Sequence, residues 1–148
     1  MLADAFAALR PKVLQRLLEQ RSALDPSLAR LEEPTARGQI DAVLENLGNY
    51  IATGDLGAHR AFLHTFLAMR AAEAQSPAAV LTMLVAIGDT AAQVAQIEGQ
   101  GTTAGAELTL LLTRVTASTA RVVNDLIADE LAQRLQQWKD LQDRQGRA

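Results

Sequence analysis

The chain has no cysteine among its 148 residues. This absence excludes disulfide bonds, thiolate metal sites and cysteine nucleophiles together, because each of them needs a cysteine sulfur. A chain without cysteine also suits a reducing compartment. We therefore expect the protein to be cytoplasmic.

Aromatic residues are scarce as well, at 3% of the chain, although hydrophobic residues make up 49% and charged residues 21%. So large an apolar fraction excludes a disordered chain. Because few aromatic rings are available, the core must be built from Leu, Val, Ile and Ala, a composition that favours closely packed helices. The length is that of one ordinary domain that can bury its own core.

The sequence has no excess of positive charge: 14 Lys and Arg stand against 17 Asp and Glu, the formal net charge is −3, and the basic residues are scattered. Nucleic-acid binding needs a basic patch or stripe and is therefore not expected. The first ten residues lack the regions of a signal peptide, and we expect no segment to reach the roughly 18 apolar residues of a membrane span. We predict a protein that is neither exported nor membrane-spanning.

Apolar residues recur at steps of three and four along most of the chain, the period of helices that bury one face. No run alternates between apolar and polar residues as a half-buried strand would. We therefore predict an all-α fold of about five helices. Their predicted bounds are 1–21, 35–53, 57–75, 77–98 and 103–144.

Proline and glycine mark the helix ends. Pro11 either starts the first helix or kinks it. Residues 22–37 form a connector with two prolines and at most one short helical turn. Gly54 is suited to a left-handed cap at the end of the second helix, and Ser76 followed by Pro77 is typical of a helix start. Gly88 would let a neighbouring helix approach the fourth helix, which is apolar nearly all round and should be central.

The fifth helix is predicted to extend for roughly 60 Å if it is continuous. Up to Leu126 its apolar face is broad, whereas beyond that residue a sparser apolar seam runs among charged residues, as in a coiled coil. We therefore divide the chain into a helical domain, residues 1–126, and a coiled-coil-like helical extension, residues 127–148.

A second face of the fifth helix carries small residues. Four of them, with one aromatic residue, form the predicted dimer interface: Thr109, Thr113, Thr116, Ala120 and Trp138. Small residues let helix backbones approach closely, either within one chain or between two copies, and both arrangements stay open. Trp138 favours the second, because a large apolar ring among charges is poorly placed if fully exposed.

The two histidines, His59 and His64, lie on the third predicted helix about 140° apart around its axis, so they cannot bind one ion together. A helical zinc pair needs a spacing of three or four residues and further ligands, so no metal site is predicted. His59 falls on the same side as Phe66 and Met69. It is interpreted as a partly buried histidine whose hydrogen bonds are satisfied near a helix start, as an axial haem ligand, or as a pH-sensitive contact.

No group of residues has the pattern of a catalytic site. The acidic pairs Asp41/Glu45 and Asp125/Asp129 have polar neighbours, which favours solvated helix faces over acid–base chemistry. No serine has the context of a nucleophile elbow with a histidine base. The glycines of residues 99–105 lack the lysine and the preceding strand of a phosphate-binding loop. We predict that the protein is not an enzyme.

The order of these helices resembles the N-terminal sensor domains of RsbR-type stressosome proteins, which are bacterial. The resemblance is diffuse, covers about Leu9 to Trp138, and is carried by the segments "IATGD", "RAFLHTFLAMRAA" and "VLTMLVAIGD" together with the long last helix. It implies a haem-free, globin-like fold and a dimeric signalling domain in the stress response, whose last helix leads to a downstream regulatory protein or output domain. It supplies no catalytic residue.

Related haem-free globin-like domains take up fatty acids, so the resemblance also implies an apolar cavity between the helices. The candidate ligand-binding residues, counting the haem alternative, are His59, Phe62, Phe66, Met69, Met83 and Leu84. A filled core without any cofactor is the expected case. The leading interpretation is a signalling input or scaffold domain that acts through dimerisation, and the alternative is a sensor domain that binds a fatty acid or haem.

Overall fold

The computed structural model describes residues 2–24 and 26–147, all of whose regular elements are helices. They are α1 (Leu2–Glu19), α2 (Arg21–Leu24), α3 (Pro26–Arg30), α4 (Glu33–Thr53), α5 (Leu56–Ala72), α6 (Pro77–Glu98) and α7 (Thr103–Gly146). The all-α class is therefore confirmed, and the five predicted helices correspond to α1 and α4–α7. Met1, Asp25 and Ala148, which the prediction places in the helical domain, the connector and the extension, lie outside the described residues.

The helix bounds differ from the predicted ones by up to three residues, the largest shift being the end of α5, at Ala72 where residue 75 was predicted. In the first third of the chain the number of helices differs as well. Pro11 is inside α1, so it does not start that helix. The connector contains two short helices, α2 and α3, where one turn was expected. Helix α4 begins two residues early, at Glu33, because Pro34 fits the first turn, where a backbone N–H has no helical acceptor in any case.

The predicted stop and start signals act as expected. Gly54 has φ of 67°, a left-handed conformation that suits glycine, and its N–H donates to the Tyr50 carbonyl over 2.7 Å. The side chain of Ser76 accepts a hydrogen bond of 3.1 Å from the N–H of Ala79 and caps α6. These contacts fix where α4 ends and where α6 begins.

Helix α6 lies at the centre of the fold, in contact with α1, α4, α5 and α7. Its buried residues are Val80, Met83, Leu84, Ile87, Gly88, Thr90, Ala91, Val94 and Ala95. Its closest neighbour is α7, because two glycine contacts bring the backbones together: a Cβ on Gly88 would overlap the side chain of Thr116, and Gly99 lies against Gly105. The prediction of a close approach at Gly88 is confirmed.

Helix α6 also corrects one expectation. Among the described residues it is the one helix long and apolar enough, by length and composition alone, to cross a membrane, with a mean hydropathy of 1.6 over its most apolar window. The expectation that no segment has such a composition is therefore wrong. Half of that window is buried inside the protein, and the core helix of a soluble protein meets the same criterion.

Helix α7 is continuous and joins two different environments. Its first part carries buried residues as far as Val123. Leu126 and Ile127 are half-buried against the core, and every residue from 128 to 147 is exposed. At 1.5 Å per residue, about 30 Å of helix therefore extends beyond the body of the protein.

Candidate functional site

His59 lies at the start of α5 and links three helices. Its ring is buried, with 3% of its surface exposed. Nδ1 lies 2.7 Å from the Asn46 amide nitrogen on α4, and Nε2 lies 2.9 Å from Oγ1 of Thr119 on α7. The Tyr50 ring packs beside it, with ring centroids 5.4 Å apart. Both ring nitrogens therefore have partners within the protein.

This environment favours the neutral imidazole. Burial lowers the pKa of His59 below its ordinary value, because the charged ring would be poorly solvated there. If the Asn46 amide nitrogen donates to Nδ1, the neutral ring carries its proton on Nε2 and donates it to Thr119. A protonated ring would place a second N–H against the Asn46 amide group, which would then have to rotate.

The space beside the His59 ring is small in this conformation. The cavity beside the ring, bounded by α4, α5, α6 and α7, has a volume of about 10 Å³, enough for at most one water molecule. Leu84 lines that cavity, and Met83 is fully buried. An iron bond to His59 would require one of its two side-chain hydrogen bonds to break.

Three of the predicted ligand-binding residues do meet elsewhere, in a surface groove between α4 and α5. Phe62, Phe66 and Met69 line this α4–α5 groove, whose volume is about 330 Å³. The Phe62 and Phe66 rings stack with centroids 5.5 Å apart. Phe62 also lines the small cavity beside His59 and therefore borders both places.

The α4–α5 groove also holds a buried guanidinium that was missed in the sequence. Arg70 is 6% exposed, its guanidinium carbon lies 4.9 Å from the Phe66 ring centroid, and Nη2 donates to Glu73 over 3.2 Å. Gln39 on α4 donates to the same carboxylate over 3.4 Å. Nε of Arg70 and Oε1 of Gln39 are buried and have no hydrogen-bond partner within the part of the chain that the structure describes. The spacing of four residues from Phe66 to Arg70 was the available signal, since it puts both on one helix face.

The second histidine lies apart from the first. His64 is exposed and lines a separate groove of about 340 Å³ between α5 and α7, together with Leu126, Ile127, Asp129 and Glu130. In the acidic pair Asp41/Glu45, Asp41 accepts a hydrogen bond of 2.7 Å from Arg10, and Glu45 is exposed. No group of three or more metal-ligating side chains occurs among the described residues.

The predicted dimer residues do not share one exposed surface. Thr116 is only 8% exposed and packs against Gly88 inside the chain, so it cannot contact a second copy in this conformation. Thr109 and Thr113 line a groove of about 450 Å³ beside the α6–α7 turn. Ala120 is half-buried. Each threonine hydroxyl donates to the carbonyl four residues earlier, so it needs no outside partner.

A row of exposed apolar side chains lies on the last part of α7. Its members, here called the C-terminal stripe, are Ile127, Leu131, Leu135, Trp138 and Leu141. The last four are each more than half exposed, with Trp138 at 55%. Their steps of four, four, three and three residues average 3.5, the period of a left-handed coiled coil. A helix with this pattern is built to pack along another helix.

No protein-family model matches this chain, and no curated protein or solved structure matches it either. The function must therefore be argued from the chain's own residues.

Proposed function

We propose that this chain is a bacterial signalling input or scaffold domain that forms homodimers and acts through protein–protein contacts. The observation that carries the proposal is the C-terminal stripe, four large apolar side chains exposed on a helix that extends beyond the body. Burying each such side chain contributes about 1.5–3 kcal/mol. A helix that leaves these side chains in water gains that energy only when a partner covers them.

The extension also leaves the apolar face of a helix without packing. Most helical stability in proteins comes from packing one apolar face. Here the stripe supplies the face and the fold supplies no cover for it from residue 128 onward. The two-part division of the chain at residues 126 and 127 fits this arrangement, with a folded body and a helical contact arm.

The same helix provides a route for a signal. Thr116 and Thr119 are buried in the core, where they contact Gly88 and His59, and α7 continues from them to Trp138 without a break. A rearrangement at His59 would shift α7 as one rod and thereby move the stripe. This is the behaviour expected of a globin-like input domain of the RsbR type, which remains part of the proposal.

Native mass spectrometry and sedimentation at low micromolar concentration test the proposal. Trp138→Glu places a charge in the stripe and is expected to give a monomer. Gln136→Glu places the same charge on the opposite side of the same exposed helix, about 160° away, and is expected to leave the dimer intact. Thr113→Glu tests the groove beside the α6–α7 turn as an alternative interface. A wild-type monomer, or a Trp138→Glu dimer as tight as wild type, would overturn the proposal.

A second function, a small-molecule sensor, is favoured by the α4–α5 groove. Phe62 and Met69 give it apolar walls, and Nε of the buried Arg70 guanidinium, whose Nη2 is paired with Glu73, has no hydrogen-bond partner among the described residues. A fatty acid has the matching apolar chain and carboxylate. Added mass of a few hundred daltons on native protein, lost on denaturation and absent in Phe62→Glu, would support this function. Wild-type protein that takes up no oleate would contradict it.

A further inference from the structure

One charged residue, Arg134, lies among the apolar residues of the C-terminal stripe. Its position distinguishes a parallel from an antiparallel pairing of two helices. At 100° per residue, Arg134 falls between Leu141 and Ile127, within the angular span of the stripe. It forms an ion pair of 2.6 Å with Glu130 on its own helix, and both side chains remain well exposed. A partner helix that covers the stripe must therefore also cover or contact Arg134.

A parallel two-fold dimer is unfavourable at this position. In that arrangement each residue lies opposite its own copy, so the two Arg134 guanidinium groups would meet within the apolar contact. Like charges that lose their water cost free energy, and no acidic residue of the partner would be opposite them. Shifting one helix by a heptad would avoid this contact, but the shifted pair has no closed two-fold symmetry.

In an antiparallel two-fold dimer the two Arg134 guanidinium groups do not meet. The register that places Leu131 opposite the partner's Leu141 also places Trp138 opposite the partner's Arg134. Trp is the aromatic side chain that best receives a cation, so a guanidinium over its ring is a favourable cation–π pair. Leu135 then lies beside the partner's Leu135, close to the symmetry axis. Every member of the stripe from Ile127 to Leu141 is covered.

The charges beside the stripe agree with this register. Glu130 and Arg144 lie on the same flank of the helix, 14 residues apart. In the antiparallel register Glu130 lies next to the partner's Arg144, and the symmetry repeats the pair at the other end. In the parallel register Glu130 faces the partner's Leu135 across the paired stripes. No charge pair forms there. Flanking charges of this kind set orientation in coiled coils.

We infer that a second copy of this chain covers the C-terminal stripe in antiparallel orientation, with Trp138 against the partner's Arg134 and Glu130 against the partner's Arg144. The inference rests on the proposed dimer and adds its geometry. The two bodies then lie at opposite ends of the paired helices. Each helix end, near Arg144, reaches the point where the partner's α7 leaves its own body.

Distance measurement between two spin labels tests the orientation directly, and the absence of native cysteine makes a single label site simple to introduce. Arg147→Cys places a label at the end of α7, outside the stripe. In the antiparallel register the two labels are separated by 22 residues along the axis, about 33 Å, before the width of the helices is added. In a parallel dimer they are side by side, within about 20 Å.

Charge reversal is the second measurement. Arg144→Glu leaves the Glu130–Arg134 pair in place and is expected to weaken the dimer about three- to tenfold, because two intermolecular pairs are lost. The double variant Glu130→Arg with Arg144→Glu re-forms those pairs and is expected to bind more tightly than Arg144→Glu alone. Arg147→Glu, which reverses a neighbouring charge outside the seam, is the matched control.

Label distances beyond 30 Å with recovery in the double variant would support the antiparallel pair. A short label distance in a stable dimer would overturn the orientation and leave the proposed function standing. A chain that is monomeric without labels or substitutions would overturn both.

Discussion

Thr116 occupies the space that a side chain at Gly88 would need. A Cβ built on Gly88 would overlap Oγ1 of Thr116 and crowd its Cβ and Cγ2 atoms. This contact joins the centre of α6 to the centre of α7 and sets how closely the two helices pack. It also places Thr116 in the core, so at this residue the small side chain serves a contact within one chain, one of the two arrangements that the sequence leaves open.

Gly88→Ala is therefore expected to destabilise the protein by about 1–3 kcal/mol, as overpacked substitutions in cores do. Adding Thr116→Ala should recover part of this loss, because it removes the overlapping hydroxyl. Urea unfolding gives the free energies. Gly38→Ala is the control: it lies in α4 with nothing within 4 Å of the added carbon, and it should gain up to about 1 kcal/mol from helix propensity. Equal stability of Gly88→Ala and Gly38→Ala would contradict this packing.

His59→Ala is expected to cost about 2–4 kcal/mol, because it leaves a cavity and removes the hydrogen bonds to Asn46 and Thr119 from a buried site. The matched control is His64→Ala on the same helix. His64 is exposed, so its removal should change the free energy of unfolding by less than about 0.5 kcal/mol. A small effect at His59 would show that its ring does not hold α4, α5 and α7 together.

The lowered pKa of His59 also predicts how stability depends on pH. Between that folded-state pKa and the ordinary value of 6.5, the unfolded chain binds more protons than the folded chain. The free energy of unfolding that His59 contributes is therefore complete above pH 6.5 and falls as the pH is lowered through that value. Urea unfolding of wild type and His59→Gln at pH 7.5, 6.5 and 5.5 checks this, because their difference should shrink toward pH 5.5. A difference that grows would contradict the sign.

The helices could be predicted from the sequence because their signals are local. The apolar period of three and four residues, the glycine at position 54 and the Ser76–Pro77 start each act within one or two turns. The helix bounds of α6 follow from those signals alone. The short helices α2 and α3 were not separated, since four or five residues carry too little of that period.

The site could be predicted only in part because its contacts are distant along the chain. The partners of His59 lie 13 and 60 residues away, and periodicity does not contain the crossing angles that bring them together. For the same reason the sequence did not show that Phe62 and Phe66 line the α4–α5 groove whereas Met83 lies in the core. The burial of Arg70 was not predicted either, since a charged residue is ordinarily expected in solvent.

Arg70→Met is expected to leave the protein as stable as wild type or up to about 2 kcal/mol more stable. The substitution replaces a buried guanidinium, whose Nε has no partner, by an apolar chain of similar length. Thermal unfolding measures the effect, with Arg60→Met on the exposed side of α5 as the control. A gain in stability would fit retention of Arg70 for a function in the α4–α5 groove. A loss of several kcal/mol would mean that its contacts with Glu73 and Phe66 hold the fold together.

Trp138 is the one tryptophan of the chain and reports on the C-terminal stripe by itself. In a single copy its ring is 55% exposed, so the emission should be that of an indole in water. In a dimer that covers the stripe the ring loses water, and the emission should shift to shorter wavelength. Dilution from about 100 to 0.1 μM is therefore expected to move the wild-type spectrum to the red, along a curve that matches the mass measured by sedimentation.

Leu135→Glu, which disrupts the stripe without altering the fluorophore, should keep the red-shifted spectrum at every concentration. A blue-shifted spectrum that changes neither on dilution nor in Leu135→Glu would mean that the Trp138 ring packs against its own chain. The stripe would then not be the contact surface.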